Sequence, residues 1–259
     1  IDHQEVLGNS LREIALEKIG ITKPDVPVVV ADQPIELKSW LIKHFKKSSV
    51  PYYFVDEIFD RYFSSDNFSI ESFSKPHIDC IKTSLCVMNI LFKGSPPEKQ
   101  NWLSIAKKTK MRGRLDLQHK VFWQKYEKSF NTILFDGAHN FDSLTALVEF
   151  ISSKKLFHYT LILGMVSDKL NPLIRVPLTR LCEKADNIIF SPVPSPRSEN
   201  PKSLESFVTK KKKFKHTPKI KYSSSVEQAL QNALIYCDKP VVVAGSFYLI
   251  GKVLNILKK

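Results

Sequence analysis

No stretch of this sequence approaches the roughly 18 apolar residues that a membrane-spanning helix needs. No signal-peptide pattern stands at its start. Four cysteines occur, Cys80, Cys86, Cys182 and Cys237, with no C-x-x-C pair and no Cys/His cluster at zinc spacing. These absences set aside a membrane span, a disulfide-stapled secreted domain and a zinc module, and they point to a reduced, cytoplasmic protein. A phosphate loop of the form G-x-x-x-x-G-K-S/T is missing from the sequence as well. There is no internal repeat.

Acidic residues are in short supply, 26 against 39 Lys and Arg, which leaves a net charge of +13. Only "TKKKKFKHTPKIKY" (209–222) concentrates the excess. It reads as a solvated loop and strand edge; a positive field toward anionic small molecules is the second reading. No zinc-finger, RRM or KH motif accompanies it, so neither a nucleic-acid nor a membrane partner is expected. With 43% hydrophobic and 25% charged residues, the composition is that of a globular protein with a real core.

The second half alternates. Short β-rich runs lie at 132–136, 159–164, 187–190, 219–222 and 241–245. Between them come helical spacings: Leu144, Leu147, Val148 and Ile151, then Val226, Ala229, Leu230 and Ala233. Continuous apolar strands alternating with helices predict a parallel sheet covered on both faces. The first half is less regular. Strands are expected at 26–32 and 50–56, and helices at 35–47, 78–92 and 98–108. "KKTKMRGRLD" (107–116) has no apolar periodicity, and a boundary near residue 111 is expected there.

Parallel α/β sheets bind ligands at the carboxyl ends of their strands. "LFDGAHN" (134–140) is such an end, followed directly by a helical pattern. "VVVAGSFYLIGKVL" (241–254) repeats the arrangement. Helix N-termini favour anions, which makes both turns candidate sites. On spacing alone, Asp136 and Asn140 read equally as turn and cap residues, and Ser246 as an N-cap.

The blocks "GRLD", "LFDGAHNFDSLTALVEFI", "LILGMVSDK", "NIIFSPVPSPR" and "VVVAGSFYLIGKV" follow one another in order. Together they resemble the C-terminal domain of the folylpolyglutamate synthase/dihydrofolate synthase family, within the Mur ligase superfamily. The opening "IDHQEVLGNSLREIALEKIGITKPDVPVVV" (1–30) resembles the second half of that family's central ATPase domain. The resemblance implies an α/β fold: a partial Mur ligase central domain over 1–110, its N-terminal half missing, then a Rossmann-like domain with a mostly parallel sheet over 111–259. It implies an acid–amino-acid ligase. ATP phosphorylates the carboxylate of a folate or dihydropteroate, and the amino group of L-glutamate attacks the acyl phosphate. ATP, Mg2+ and a monomeric state come with it.

The resemblance also implies roles for single residues. His3, in "IDHQ", would bind magnesium. Lys18, in "EKIGI", would be carbamylated at the metal and phosphate site. Ser10 and Glu13 read as a capping box that starts a helix, which puts Lys18 on a stripe with Leu11, Ile14 and Ala15. Burial there would leave more neutral, CO2-reactive amine; the competing reading is a lysine reaching to solvent at the helix end before Gly20. Arg114 and Asp136 would contact ATP. His139, as a catalytic or positioning residue, and Ser246, at the nucleotide, belong to motifs that face the cleft when the C-terminal domain closes on the ATPase domain. Arg197, Asp168 and Lys169 stand where glutamate carboxylates would be met.

The sequence also departs from the family. The phosphate loop and the remaining magnesium ligands lie upstream of the "DH" motif in the family, and so does the pterin-binding segment. "HIDCI" (77–81) places Ile81 where an ATP-contacting Asn is usual, and an aliphatic chain cannot make that hydrogen bond. The stretch between Arg114 and Asp136 is longer than usual. The expectation is the C-terminal part of a ligase, inactive by itself. The alternative is a non-catalytic α/β remnant or binding module that lost the phosphate loop.

Overall fold

The computed structural model describes residues 10–63, 75–93, 101, 104–105, 108–109, 111–209 and 217–258. The chain divides into two compact units, Ile1–Thr109 and Lys110–Lys259.

The first unit opens with α1 (Leu11–Ile19). Ser10 and Glu13 form the capping box expected from the sequence. β1 (Val28–Val30) and β2 (Tyr52–Phe54) pair in parallel, with α2 (Ile35–Ser48) between them in sequence. α3 (Val55–Phe63) and α4 (Lys75–Leu91) follow. Two small cores hold it. One packs Ala15, Leu37, Leu41, Phe45 and Phe54; the other packs Val55, Ile58, Phe59, Ile81, Leu85 and Cys86. The helix expected over 98–108 lies largely outside the described residues, and so does half of the lysine-rich run.

The second unit is built on one six-stranded sheet. Its strands are β3 (Asp116–Trp123), β4 (Lys128–Asp136), β5 (Tyr159–Leu163), β6 (Ala185–Phe190), β7 (Lys219–Tyr222) and β8 (Val241–Ala244). The spatial order is β3-β4-β8-β5-β6-β7. All neighbours run parallel except β3, which pairs antiparallel with β4. The helices are α5 (Phe141–Ser153), α6 (Arg175–Glu183), α7 (Pro201–Thr209), α8 (Val226–Leu234) and α9 (Phe247–Leu257).

The strands are apolar on both sides because both faces are covered. Leu134, Leu161, Ile188 and Val242 pack against α5, α6 and α7 on one face. Ile133, Ile162, Ile189 and Val243 pack against α8 and α9 on the other. The mostly parallel α/β sheet matches the sequence expectation. The addition is β3. Residues 116–131, which gave no apolar run, form an edge strand and the first part of β4.

This topology makes a crevice. β8 lies between β4 and β5. The helices that follow β4 and β5 pack on one face, whereas α9, which follows β8, packs on the other. Helices leaving neighbouring strands in opposite directions open a gap above the carboxyl ends, where ligands bind in such sheets.

Candidate functional site

Three loops meet at that end of the sheet. Two are the turns after β4 and β8. The third precedes β3. Because β3 is antiparallel, its first residue Asp116 pairs with Phe135 near the end of β4, so Gly113 and Arg114 arrive beside Asp136. The Gly137 N–H donates to the Gly113 carbonyl at 2.9 Å and ties the two loops together.

Asp136 is only 7% exposed. Its Oδ2 accepts from the Leu115 N–H and its Oδ1 from the Ala138 N–H, both at 2.7 Å. Burial pushes its carboxyl above the ordinary range, although those two amides and the charges of Arg114 and His139 pull the other way. With both oxygens engaged by backbone, Asp136 organises the turn, which is the structural reading that spacing left open.

His139 is half-buried. Its Nδ1 lies 2.7 Å from the Gly137 carbonyl. A carbonyl only accepts, so Nδ1 carries a proton and donates to it. Asn140 caps α5: its Oδ1 accepts from the Ser143 N–H at 2.9 Å, and Ser143 Oγ accepts from the Asn140 N–H at 3.2 Å. Ser246 is buried and caps α9, its Oγ accepting from the Tyr248 N–H at 3.1 Å. Gly245 before it has φ +107°, and a β-carbon there would stand 2.5 Å from the Gly164 carbonyl oxygen. Only glycine makes that corner.

The structure therefore gathers Arg114, Asp136, His139 and Ser246 around one crevice of the second unit. It also adds Phe247, which sequence reasoning missed. The Arg114 guanidinium sits 4.8 Å from the centre of the Phe247 ring, and the His139 ring meets the same ring edge-on at 6.1 Å. In the sequence Phe247 reads as one more apolar residue of a helical run. The one available hint was its place directly after the Gly–Ser corner.

The other expected residues fare differently. Lys18 is exposed, not buried. α1 ends at Ile19, and only Ile14 and Ala15 of its stripe are buried. A last-turn lysine on so short a helix has no further turn to cover it, so its side chain reaches solvent. His3 lies outside the described residues. Ile81 is buried in the core of the first unit, and Asp79 is exposed. Arg197 Nη1 is paired with Asp168 Oδ2 at 3.0 Å, so its charge is already engaged. Among the described residues, no group of three His, Cys, Asp or Glu side chains is placed to hold a metal ion. They do not by themselves make the magnesium site that the resemblance implies. No helix among them is long and apolar enough to cross a membrane.

Residues 118–256, more than half of the chain, match the family model described as the C-terminal domain of dihydrofolate synthetase. The chain belongs to the dihydrofolate synthetase family. A probable dihydrofolate synthetase of Schizosaccharomyces pombe is 28% identical over all of this chain, which spans 64% of that protein's length. Among solved structures, a Mycobacterium tuberculosis folylpolyglutamate synthase complexed with ADP superposes with a TM-score of 0.76 at 16% identity, covering 100% of this chain and 62% of that one. The Yersinia pestis bifunctional folylpolyglutamate synthase/dihydrofolate synthase, complexed with AMPPNP and Mn ion, gives 0.72 at 18% identity over 98% of this chain and 58% of that one. At such identities the structural matches speak for the fold. They share the α/β fold built on a mostly parallel sheet.

Proposed function

We propose that this chain is the C-terminal part of an ATP-dependent ligase that joins L-glutamate to the carboxylate of dihydropteroate or a folate. ATP phosphorylates the carboxylate, the glutamate amino group attacks the acyl phosphate, and an amide, ADP and phosphate result. A carboxylate is a poor acyl donor; its mixed anhydride with phosphate is a good one. Residues 1–110 would be the remainder of a central ATPase domain and 111–259 the C-terminal domain.

The observation that carries the reading is the crevice at β4 and β8, in a chain of this family. Arg114 brings a planar cation suited to phosphate oxygens. His139 presents an imidazole whose Nδ1 is held by the Gly137 carbonyl. Two capped helix N-termini, at Asn140 and Ser246, add a positive dipole field to the same edge. Arg114, Asp136 and Ser246 are the proposed nucleotide side of the site, and His139 positions the reacting groups. The relative complexed with AMPPNP and Mn ion supports use of a nucleotide and a divalent cation such as Mg2+. Roles for His3 as a magnesium ligand and Lys18 as a carbamate rest on the family resemblance alone. The same resemblance carries a monomeric, cytoplasmic enzyme.

The sequence holds no G-x-x-x-x-G-K-S/T loop. The 259-residue polypeptide is therefore expected to turn over neither ATP nor dihydropteroate. Turnover above that of a Lys18→Ala control would overturn this. Reading the DNA upstream of the Ile1 codon tests the larger proposal. An in-frame Gly-Lys-Ser loop supports a ligase, to be assayed at full length. Stop codons there favour the second reading, a non-catalytic α/β remnant or binding module. One structural observation leans that way: Ile81, at the position of the usual ATP-contacting Asn, is packed into the core of the first unit and is only 7% exposed.

A further inference from the structure

Phe247 is the first residue of α9, directly after the buried N-cap Ser246. A phenylalanine in an apolar helix normally turns into the core, yet this one is 40% exposed. Its ring lies across the other two loops of the crevice. A β-carbon on Gly137 would stand 2.7 Å from ring atoms Cδ1 and Cε1, and one on Gly113 would stand 3.8 Å from Cε1. The ring thus rests on two positions without side chains. The Arg114 guanidinium stands over the ring, 4.8 Å from its centre, and the His139 imidazole packs perpendicular to it with ring centres 6.1 Å apart. The Arg114 charge also acts on the Asp136 carboxylate beside it. One aromatic ring connects all three loops.

We infer that Phe247 is a positioning residue: its ring holds the Arg114 guanidinium and the His139 imidazole in place at the crevice. The physical cause is the negative π face, which attracts a cation, and the positive edge, which suits an edge-on neighbour. A free arginine samples many rotamers, and docking the guanidinium on a ring reduces the number to be ordered when an anion arrives. Leucine could fill the same space against Gly113 and Gly137 but has no π face. Tyrosine keeps the ring. The consequence for ligand binding rests on the proposed nucleotide role of Arg114; the positioning itself does not.

The test uses the 259-residue chain and NMR. Ring-current shifts of the Arg114 side-chain protons and the His139 Hε1 report the docking directly. They are expected to persist in Phe247→Tyr and to collapse toward free-residue values in Phe247→Leu. Arg114 and His139 shifts unchanged in Phe247→Leu would overturn the positioning role. The same spectra are then followed during titration with magnesium AMPPNP to millimolar concentration. Phe247→Leu is expected to weaken binding about threefold, the loss of one exposed cation–π contact. In an Arg114→Ala background the same change is expected to cost less, since only the His139 contact remains to be lost. Equal losses in both backgrounds would mean that the ring acts without Arg114, and the inference fails. If AMPPNP leaves the Arg114 and His139 shifts unmoved in the unsubstituted chain, nucleotide binding by this polypeptide fails instead, while the ring-current result still decides the positioning role.

Discussion

Asp116 and Phe135 face each other across the one antiparallel pair of the six-stranded sheet. That pairing places the start of β3 beside the end of β4. It is why Arg114, more than 20 residues before Asp136 in sequence, arrives at the same crevice. Four further predictions follow from how the loops there, and the opposite end of the sheet, are held.

Replacing Asp136 by Ala strands two backbone N–H donors, those of Leu115 and Ala138. The expected cost is about 2–4 kcal/mol, read as a lower urea midpoint with an unchanged slope. The pH dependence has a defined sign. The folded carboxyl is raised above its ordinary value of 3.8. Its contribution to stability is therefore fully present below that value and is lost as pH rises through the raised one. The advantage of the natural chain over Asp136→Asn should shrink across that rise. An advantage that grows there would show that the two amides outweigh burial.

Gly245→Ala and Gly137→Ala should part company. At Gly245 the new methyl meets a backbone carbonyl at 2.5 Å, with φ +107°. Neither can give way cheaply, and about 1–3 kcal/mol is expected from the backbone alone. At Gly137 the methyl meets the Phe247 ring, which can swing toward solvent. A smaller loss is expected, together with displacement of the ring from Arg114. Thermal melts and the Arg114 ring-current shifts measure the two effects separately.

Asn140→Ala removes the cap of α5 and should cost about 1 kcal/mol, while Asn140→Gly should cost only a few tenths. The comparison isolates the cap, because Gly tolerates the extended cap conformation without the side-chain hydrogen bond. Equal losses in chemical denaturation would point to a contact beyond the cap.

At the opposite end of the sheet, Asp186 joins the start of β6 to His158 and Lys239, at 3.0 and 2.5 Å. Burial would raise its carboxyl, but hydrogen bonds from Lys239 and His158 outweigh it and hold it below the ordinary value of 3.8. Its contribution is present above that value and is lost as pH falls through the lowered one. Both partners are well exposed, so Asp186→Asn should cost only about 0.5–1 kcal/mol at neutral pH. The cost should vanish in strong acid; a melt series from neutral to acid pH checks it.

Much of the second unit was legible because its strands are apolar on both faces and its helices keep strict spacing. Leu144, Leu147 and Ile151, like Val226, Ala229 and Ala233, are buried as periodicity required. β3 was not legible. As an edge strand it exposes His119 and Lys120, and polar residues hide a strand from a search for apolar runs. Lys18 shows the converse error. Periodicity gave it the right helix face, but burial depends on what covers the end of a short helix, and spacing does not encode that. Phe247 was illegible for a third reason. Its surroundings come from residues more than 100 positions away in sequence.

β8 joins the sheet between two strands made long before it: Val241–Ala244 pairs with β4 on one side and β5 on the other. During synthesis the ribosome delivers the middle of this sheet after both of its flanks. Until then β4 and β5 each offer an open, apolar edge, the kind that captures other chains. Nascent polypeptides halted before Val241 should be clients of chaperones, and the lesions most harmful to yield should cluster in the last strand to emerge.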